Sequence, residues 1–353
     1  MYFSEEEGLT FDDVLLVPQY SEVTSRKQPD VKVSFGSNTL AGPIFAAPMN
    51  TLCEARMSVA MENYGDGVVH RYMTIEQQAL IAKTFLASEK KRHPFFAVGA
   101  SRDYKERIAA LLDVGVSKFC IDVANGNTKV SIDACKFLRK ESSTVAIMAG
   151  NVANGDGYHR LIDAGANLVR VGIGSGANCI TRQVTGHGMP QLGALLSVRK
   201  VKDHLNLKDN EGIIISDGGI RSSGDMIKAL AIADCVMLGS MLAGTDESPG
   251  SVWKEVGTLR EYKIHAGMAS SEARKSSKIF SKEETEYIPE GVSAEIPYVG
   301  SVIPILEKLI NSLKVGMTYT GAFNLKEFRE RSEMIQITSA GHTEGTPHVY
   351  NKK

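Results

Sequence analysis

A short apolar stretch followed by a helical stretch recurs eight times along this chain, and that rhythm limits the fold more than any other feature. The apolar stretches are Ile44–Ala47, Gly67–His70, Phe95–Val98, Lys118–Asp122, Val145–Ala149, Leu168–Val171, Gly212–Ser216 and Cys235–Leu238. Each is brief and partly β-branched, the composition expected of parallel strands covered on both faces. Segments such as Asp103–Leu112 and Gly224–Ile232 read as the intervening helices. Eight such units in one chain of 353 residues fit an α/β fold of the (β/α)8 TIM-barrel type better than an open doubly wound sheet.

Polar residues collect just after the apolar stretches, at Pro48-Met49-Asn50, His70-Arg71, Asp122 to Gly126, Gly150-Asn151, Gly172-Ile173-Gly174, Asp217-Gly218-Gly219 and Gly239-Ser240. In such barrels the chemistry gathers at the carboxyl ends of the strands, so these positions mark the expected active face. A single catalytic domain over 1–353 is expected, with one excursion at 245–300 after the eighth strand. That excursion is polar, with Lys275 to Lys278 and Glu283-Glu284, and reads as an irregular flap over the active face. From Ser301 to Leu313 the pattern is helical again. The tail after Ser332 reads as an ordered arm or a frayed end.

Forty basic against 41 acidic residues give a net charge of −1, so nothing global favours nucleic acid or an anionic membrane as partner. No apolar run reaches the ~20 residues a bilayer span requires, and the acidic N-terminus lacks the build of a signal peptide. Cys53, Cys120, Cys135, Cys179 and Cys235 are scattered and odd in number, which points to reduced thiols and a cytoplasmic protein. The eight histidines show no paired ligand spacing such as H-x-x-x-H, so a transition-metal site is not expected.

The densest local signal is Val171-Gly172-Ile173-Gly174-Ser175-Gly176-Ala177-Asn178-Cys179-Ile180-Thr181-Arg182. Three glycines in five residues let backbone amides approach a phosphate. The third glycine is misplaced for a dinucleotide fingerprint, and the loop follows the sixth strand rather than the first. A cysteine taken alone is most simply a packing residue. On a glycine-rich loop, with a threonine two positions later, Cys179 reads as a nucleophile for an electrophilic ring carbon.

Together with that loop, the segments Leu9 to Pro18, Ser216-Asp217-Gly218-Gly219-Ile220 and Met237-Leu238-Gly239-Ser240 resemble the family of IMP dehydrogenases and GMP reductases, in order and over almost the whole chain. The resemblance implies a homotetramer of barrels that binds GMP or IMP. It implies that Cys179 forms a covalent bond to purine C2. Ser175, Gly176, Gly218, Gly219, Gly239 and Ser240 would cradle the 5′-phosphate, and Asp217 would accept hydrogen bonds from the ribose diol. Met268, Ala269 and Ser270 would hold the base edge. Asp122, Ala124, Asn125, Gly126 and Arg71 would meet the dinucleotide. Backbone carbonyls of Gly174, Gly176 and Cys179 would face a monovalent cation, K+, completed by Glu344 from a neighbouring subunit.

Two reactions of the family compete. The dehydrogenase form resembled here normally carries regulatory CBS modules, and none fits between Thr74–Gln78 and Phe95. It also uses an Arg-Tyr pair on its flap to activate water. The only Arg-Tyr here is Arg71-Tyr72, and 245–300 has none. Gly267 to Glu272 and Cys120 to Asn127 resemble the reductase instead, with Thr181 and Glu272 as a dyad that handles the proton of the leaving amine. The tail Ile337 to His348 is closer to the dehydrogenase. Ser175, where the family usually has proline, and Ala177-Asn178 also depart from its pattern. The balance favours an NADPH-dependent GMP reductase. An IMP dehydrogenase without CBS modules is the alternative, and a non-catalytic nucleotide-binding scaffold the third reading. For a 2′-phosphate on the dinucleotide, Arg71, Arg274 and Lys275 are the cationic candidates.

Overall fold

The computed structural model describes residues 8–88, 93–277, 279 and 288–345. Eight parallel strands close a barrel: β1 Ile44–Ala46, β2 Gly65–Val69, β3 Phe95–Val98, β4 Lys118–Asp122, β5 Ala146–Val152, β6 Leu168–Val171, β7 Ile213–Asp217 and β8 Cys235–Leu238. Each pairs with its sequence neighbours. The ring shuts where β8 meets β1, with Val236, Met237 and Leu238 opposite Ile44, Phe45 and Ala46. All eight expected strands are present, with ends that differ by a few residues at most.

The strands are apolar because both of their faces are covered. Ile44, Phe45, Phe95, Phe96, Phe119, Val169 and Ile214 have no exposed surface. Local chemistry starts the helices between them. Thr74 accepts the Gln77 amide, and Gln77 reciprocates, at the head of the helix Ile75–Leu86. Asn154 does the same for Gly157, and Ser222 for Asp225. Each such cap supplies an acceptor for an otherwise unpaired helical N–H. The helix expected from Ser301 to Leu313 runs from Ile303 to Thr320 and stops at Gly321, whose φ of 72° is the left-handed turn glycine takes most readily.

The excursion at 245–300 differs from the expectation of irregular chain. It carries an antiparallel sheet of β9 Trp253–Lys254, β10 Glu261–Ala266 and β11 Ser293–Pro297, and a short helix, Ser271–Ser277. The strand β10 was hidden because it reads Glu-Tyr-Lys-Ile-His-Ala. Its inward Lys263 and His265 are polar yet 2% exposed, so alternation did not show as apolar against polar. Lys263 is held by the carbonyls of Thr245 and Ser248 at 2.8 and 2.7 Å. Lys278, Glu283 and Glu284 lie outside the described residues. The tail is an ordered arm as far as residue 345: Met334–Gln336 pairs antiparallel with Val14–Leu16, and the short helix Ser339–Glu344 follows.

Candidate functional site

The carboxyl ends of the strands surround a cavity of about 650 Å³, within the ~300–1,000 Å³ usual for small-molecule sites. Its floor and walls include Ser175, Gly176, Cys179, Thr181, Asp217, Gly218, Gly219, Gly239, Ser240, Met268 and Ala269. Gly218 and Gly219 have φ of 93° and 78°. A Cβ on Gly218 would lie 2.6 Å from Ser175 Oγ. The two glycine turns therefore pack against each other with no room for a side chain between them.

The cysteines divide by environment. Burial pushes the thiols of Cys53, Cys120 and Cys135 up to about 12, and that of Cys235 well above its ordinary value. Such thiols stay protonated and inert. Cys179 alone is half-exposed and faces the cavity, with its thiol donating to Thr181 Oγ1 at 3.1 Å. A sharp turn holds it, closed by Cys179 N–H to the Gly176 carbonyl at 3.0 Å.

The excursion fixes that loop from the other side. Ile180 N–H donates to the Glu290 carbonyl at 2.9 Å, and Val292 N–H to the Asn178 carbonyl at 2.9 Å. Asn178 Nδ2 donates to the His265 carbonyl at 3.0 Å. Glu290 N–H in turn donates to the Ala269 carbonyl at 3.1 Å. Sequence reasoning missed Glu290, which lines the cavity with its main chain bonded between Cys179 and Thr181. The signal was its place in Pro289-Glu290-Gly291, where a glycine follows an acid just before a strand.

Glu272, the carboxylate expected to serve Thr181, is instead exposed in the first turn of Ser271–Ser277 and is not among the residues lining the cavity. Ser270 is also set back. It is fully buried, and its hydroxyl accepts the Ala273 amide at 3.1 Å to cap that helix. Met268 and Ala269 do line the cavity, but their carbonyls accept from Tyr72 Oη at 2.8 Å and from Glu290.

A second set of polar groups spans the barrel mouth. Arg170, on β6 and 7% exposed, donates from Nε and Nη2 to Asp217 Oδ2 at 3.1 and 2.8 Å, and from Nη1 to Asp122 Oδ1 at 2.7 Å. Asn151 Nδ2 adds a third donor to Asp217 Oδ2 at 2.9 Å. Arg71 Nε reaches Asp122 Oδ2 at 3.3 Å, and its guanidinium lies 5.3 Å from the Tyr72 ring centre. Burial raises the Asp122 carboxyl, yet Arg170 and Arg71 outweigh it and leave the group below its usual range. Burial likewise opposes the charge on Arg170, while Asp217 and Asp122 hold it well above its usual value. Arg71, Asp122 and Ala124 line the cavity beside this set. Asn125 and Gly126 do not. The loop turns away after Ala124, leaving Asn125 exposed and Gly126 buried against the Asn151 carbonyl at 2.6 Å.

His265 also lines the cavity, and burial alone pushes it down to about 4. It is neutral at physiological pH, with Nδ1 hydrogen-bonded at 3.2 Å to Thr51 Oγ1, a hydroxyl that also accepts the Ala266 N–H. Among the described residues no three His, Cys, Asp or Glu side chains group as a metal site. Of the carbonyls expected to face K+, that of Gly176 already accepts the Cys179 amide. Glu344 is exposed on the short helix Ser339–Glu344.

The family model described as IMP dehydrogenase / GMP reductase domain matches residues 8–348. The chain belongs to this family. Its members are oxidoreductases that bind GMP or IMP and use a nicotinamide dinucleotide. An inosine-5′-monophosphate dehydrogenase of Nitrosopumilus maritimus is 32% identical, over 97% of this chain and 98% of the relative. A GMP reductase of Leishmania major is 28% identical over 98% of each. A crystal structure of a GMP reductase from Trypanosoma brucei in complex with guanosine 5′-monophosphate superposes with a TM-score of 0.88, at 28% identity and 98% coverage of both chains. The alignments to the Nitrosopumilus dehydrogenase and the Leishmania reductase span 477 and 487 positions against 353 residues here. Relatives of both names thus carry inserted chain that this family member lacks, and the missing segment does not separate the two activities.

Proposed function

We propose that this protein is a GMP reductase that converts GMP to IMP and ammonia with a reduced dinucleotide, NADPH. The observation that carries the reading is the cluster around Cys179: a half-exposed thiol, the Thr181 hydroxyl at 3.1 Å, and Glu290 bonded between them and lining the same cavity. Cys179 passes its proton through Thr181 to Glu290 and adds as the thiolate to purine C2, and the C2–amine bond breaks as Glu290 returns that proton through Thr181 to the departing ammonia. A reduced dinucleotide supplies the hydride that C2 then accepts. The C–S bond breaks and the thiolate returns as IMP departs. Main-chain amides of the Ser175–Gly176 and Gly218–Gly219 turns bind the 5′-phosphate, with Gly239 and Ser240 beside them. Asp217, which lines the cavity with Oδ2 held by three donors, takes the ribose diol. Asp122, Ala124 and Arg71 take the dinucleotide. Residues 245–300 serve as the flap, tied to the nucleophile loop at Asn178 and Ile180. A monovalent cation on the Gly174, Gly176 and Cys179 carbonyls would stiffen that loop, and a homotetramer would bring Glu344 to a neighbour's copy of it.

Dehydrogenation of IMP is the second reading. Relatives named for it reach 30% identity and above, and the tail resembles theirs. Against it, 245–300 has no Arg-Tyr pair to activate water. Absorbance of the reduced nicotinamide decides. Loss of NADPH with GMP, abolished in Cys179→Ala, is expected. Growth of NADH with IMP and potassium would assign the dehydrogenase instead, and silence with both substrates would leave only a nucleotide-binding scaffold.

A further inference from the structure

We infer that Arg170 is a positioning residue that couples the nucleotide half of the site to the dinucleotide half, by dividing one guanidinium between Asp217 and Asp122. The inference rests on the reading above, in which Asp217 faces the ribose of the nucleotide and Asp122 faces the dinucleotide. The two carboxylates share no hydrogen bond with each other. Arg170 joins them with three donors, two to Asp217 Oδ2 and one to Asp122 Oδ1. A guanidinium offers five N–H donors in a rigid plane, so a shift toward one carboxylate is a shift away from the other.

Burial makes the division consequential. Arg170 is 7% exposed, and Asp122 and Asp217 are 13% and 16% exposed. In such surroundings one cation facing two anions is screened little by water. The remaining partners are few. Arg71 reaches the second oxygen of Asp122 at 3.3 Å, and the Asn151 amide reaches Asp217 at 2.9 Å. Cys120 Sγ lies 3.6 Å from Arg170 Nη1 with its thiol protonated. No other charged side chain pairs with Arg170 among the described residues. When the charge of Asp122 is removed, Arg170 settles on Asp217 and competes with the ribose hydroxyls for its lone pairs. A change on the dinucleotide side is then felt as nucleotide affinity, with no dinucleotide present.

The test is a double-mutant cycle read by calorimetric binding of GMP, or of IMP if GMP does not bind, without any dinucleotide. Asp122→Asn weakens nucleotide binding several-fold in the native background. In the Arg170→Met background the same Asp122→Asn step has no further effect, because the shared cation is gone. Arg170→Lys, which keeps the charge and avoids leaving two carboxylates unpaired, restores part of the Asp122→Asn effect. Thermal melting of all six proteins, the native one included, identifies those that fold. A merely structural role for Arg170 gives equal Asp122→Asn penalties in the native, Lys and Met backgrounds, and that additivity overturns the inference, as does an Asp122→Asn protein that binds as tightly as the native one. If Arg170→Met does not fold, the native and Lys backgrounds alone decide, since the coupling must shrink on going to Lys. Failure of the native protein to bind either nucleotide is a different outcome, and overturns the proposed function along with the inference.

Discussion

At the residue scale, the sharpest contrast is between two glutamates. Glu290 lines the cavity with its main chain bonded to Ile180, whereas Glu272 points to solvent. On the reading proposed above Glu290→Gln removes the proton carrier and is expected to lower kcat by about 10²–10⁴-fold with a small change in KM, while Glu272→Gln leaves both near the native values. Steady-state rates with GMP and NADPH check the pair. His265 makes a stability prediction. Its pKa falls from 6.5 to about 4 on burial, so the unfolded chain takes the proton first. The stability this protects is complete above pH ~6.5 and is lost as pH falls toward 4, amounting to about 3 kcal/mol. Urea midpoints measured from pH 7 to 4 should fall less steeply for His265→Asn than for the native protein.

At the scale of elements, the glycine turns and the excursion are the pieces that give the site its shape. Gly218→Ala places a Cβ 2.6 Å from Ser175 Oγ at a φ of 93°. It is expected to cost about 1–3 kcal/mol and to weaken nucleotide binding more than dinucleotide binding, which calorimetry separates. The amides of Ile180 and Val292, which join the nucleophile loop to 290–292, should exchange hydrogen more slowly with GMP bound. How much of this was legible depends on the kind of signal. The barrel strands could be read because burial on both faces leaves an apolar run, and the glycine turns because only glycine suits such backbone. Cys179 could be read from its loop. The strand β10 could not, since its buried positions hold Lys263 and His265, satisfied by carbonyls at the start of the excursion and by Thr51 far along the chain. Ser270 looked like a binding residue by its neighbours, yet it caps a helix. Glu290 was missed because its local mark, Pro289-Glu290-Gly291, says nothing of the loop over a hundred positions away that its main chain meets.

Across the whole molecule, charge is buried at the base of the barrel as well as at its mouth. Asp234, 1% exposed, is bound by Lys202 at 2.9 Å, by Arg329 at 3.3 Å and by the Ile214 amide at 2.8 Å. Arg329 belongs to the helix Leu325–Arg331, so this cluster ties the C-terminal part of the chain to β7 and the helix Gln191–His204. Burial opposes the Asp234 charge, but Lys202, Arg329 and Arg199, the last at 3.4 Å, hold the carboxyl well below its usual range. Asp234→Asn strands those cations and is expected to destabilise by about 3–5 kcal/mol, measured as a lower denaturant midpoint with an unchanged KM in whatever fraction remains folded.

The bonds from Asn178 and Ile180 to Val292 and Glu290 also carry a consequence for biosynthesis. A ribosome releases the cysteine loop long before the segment that shapes it. Until the chain has run on past Val292, that loop lacks its main-chain partners at 290–292 and is held from one side only. The growing polypeptide therefore carries its cysteine on an unfinished loop, and on the reading proposed above the thiol gains its catalytic setting only after Val292 has been added.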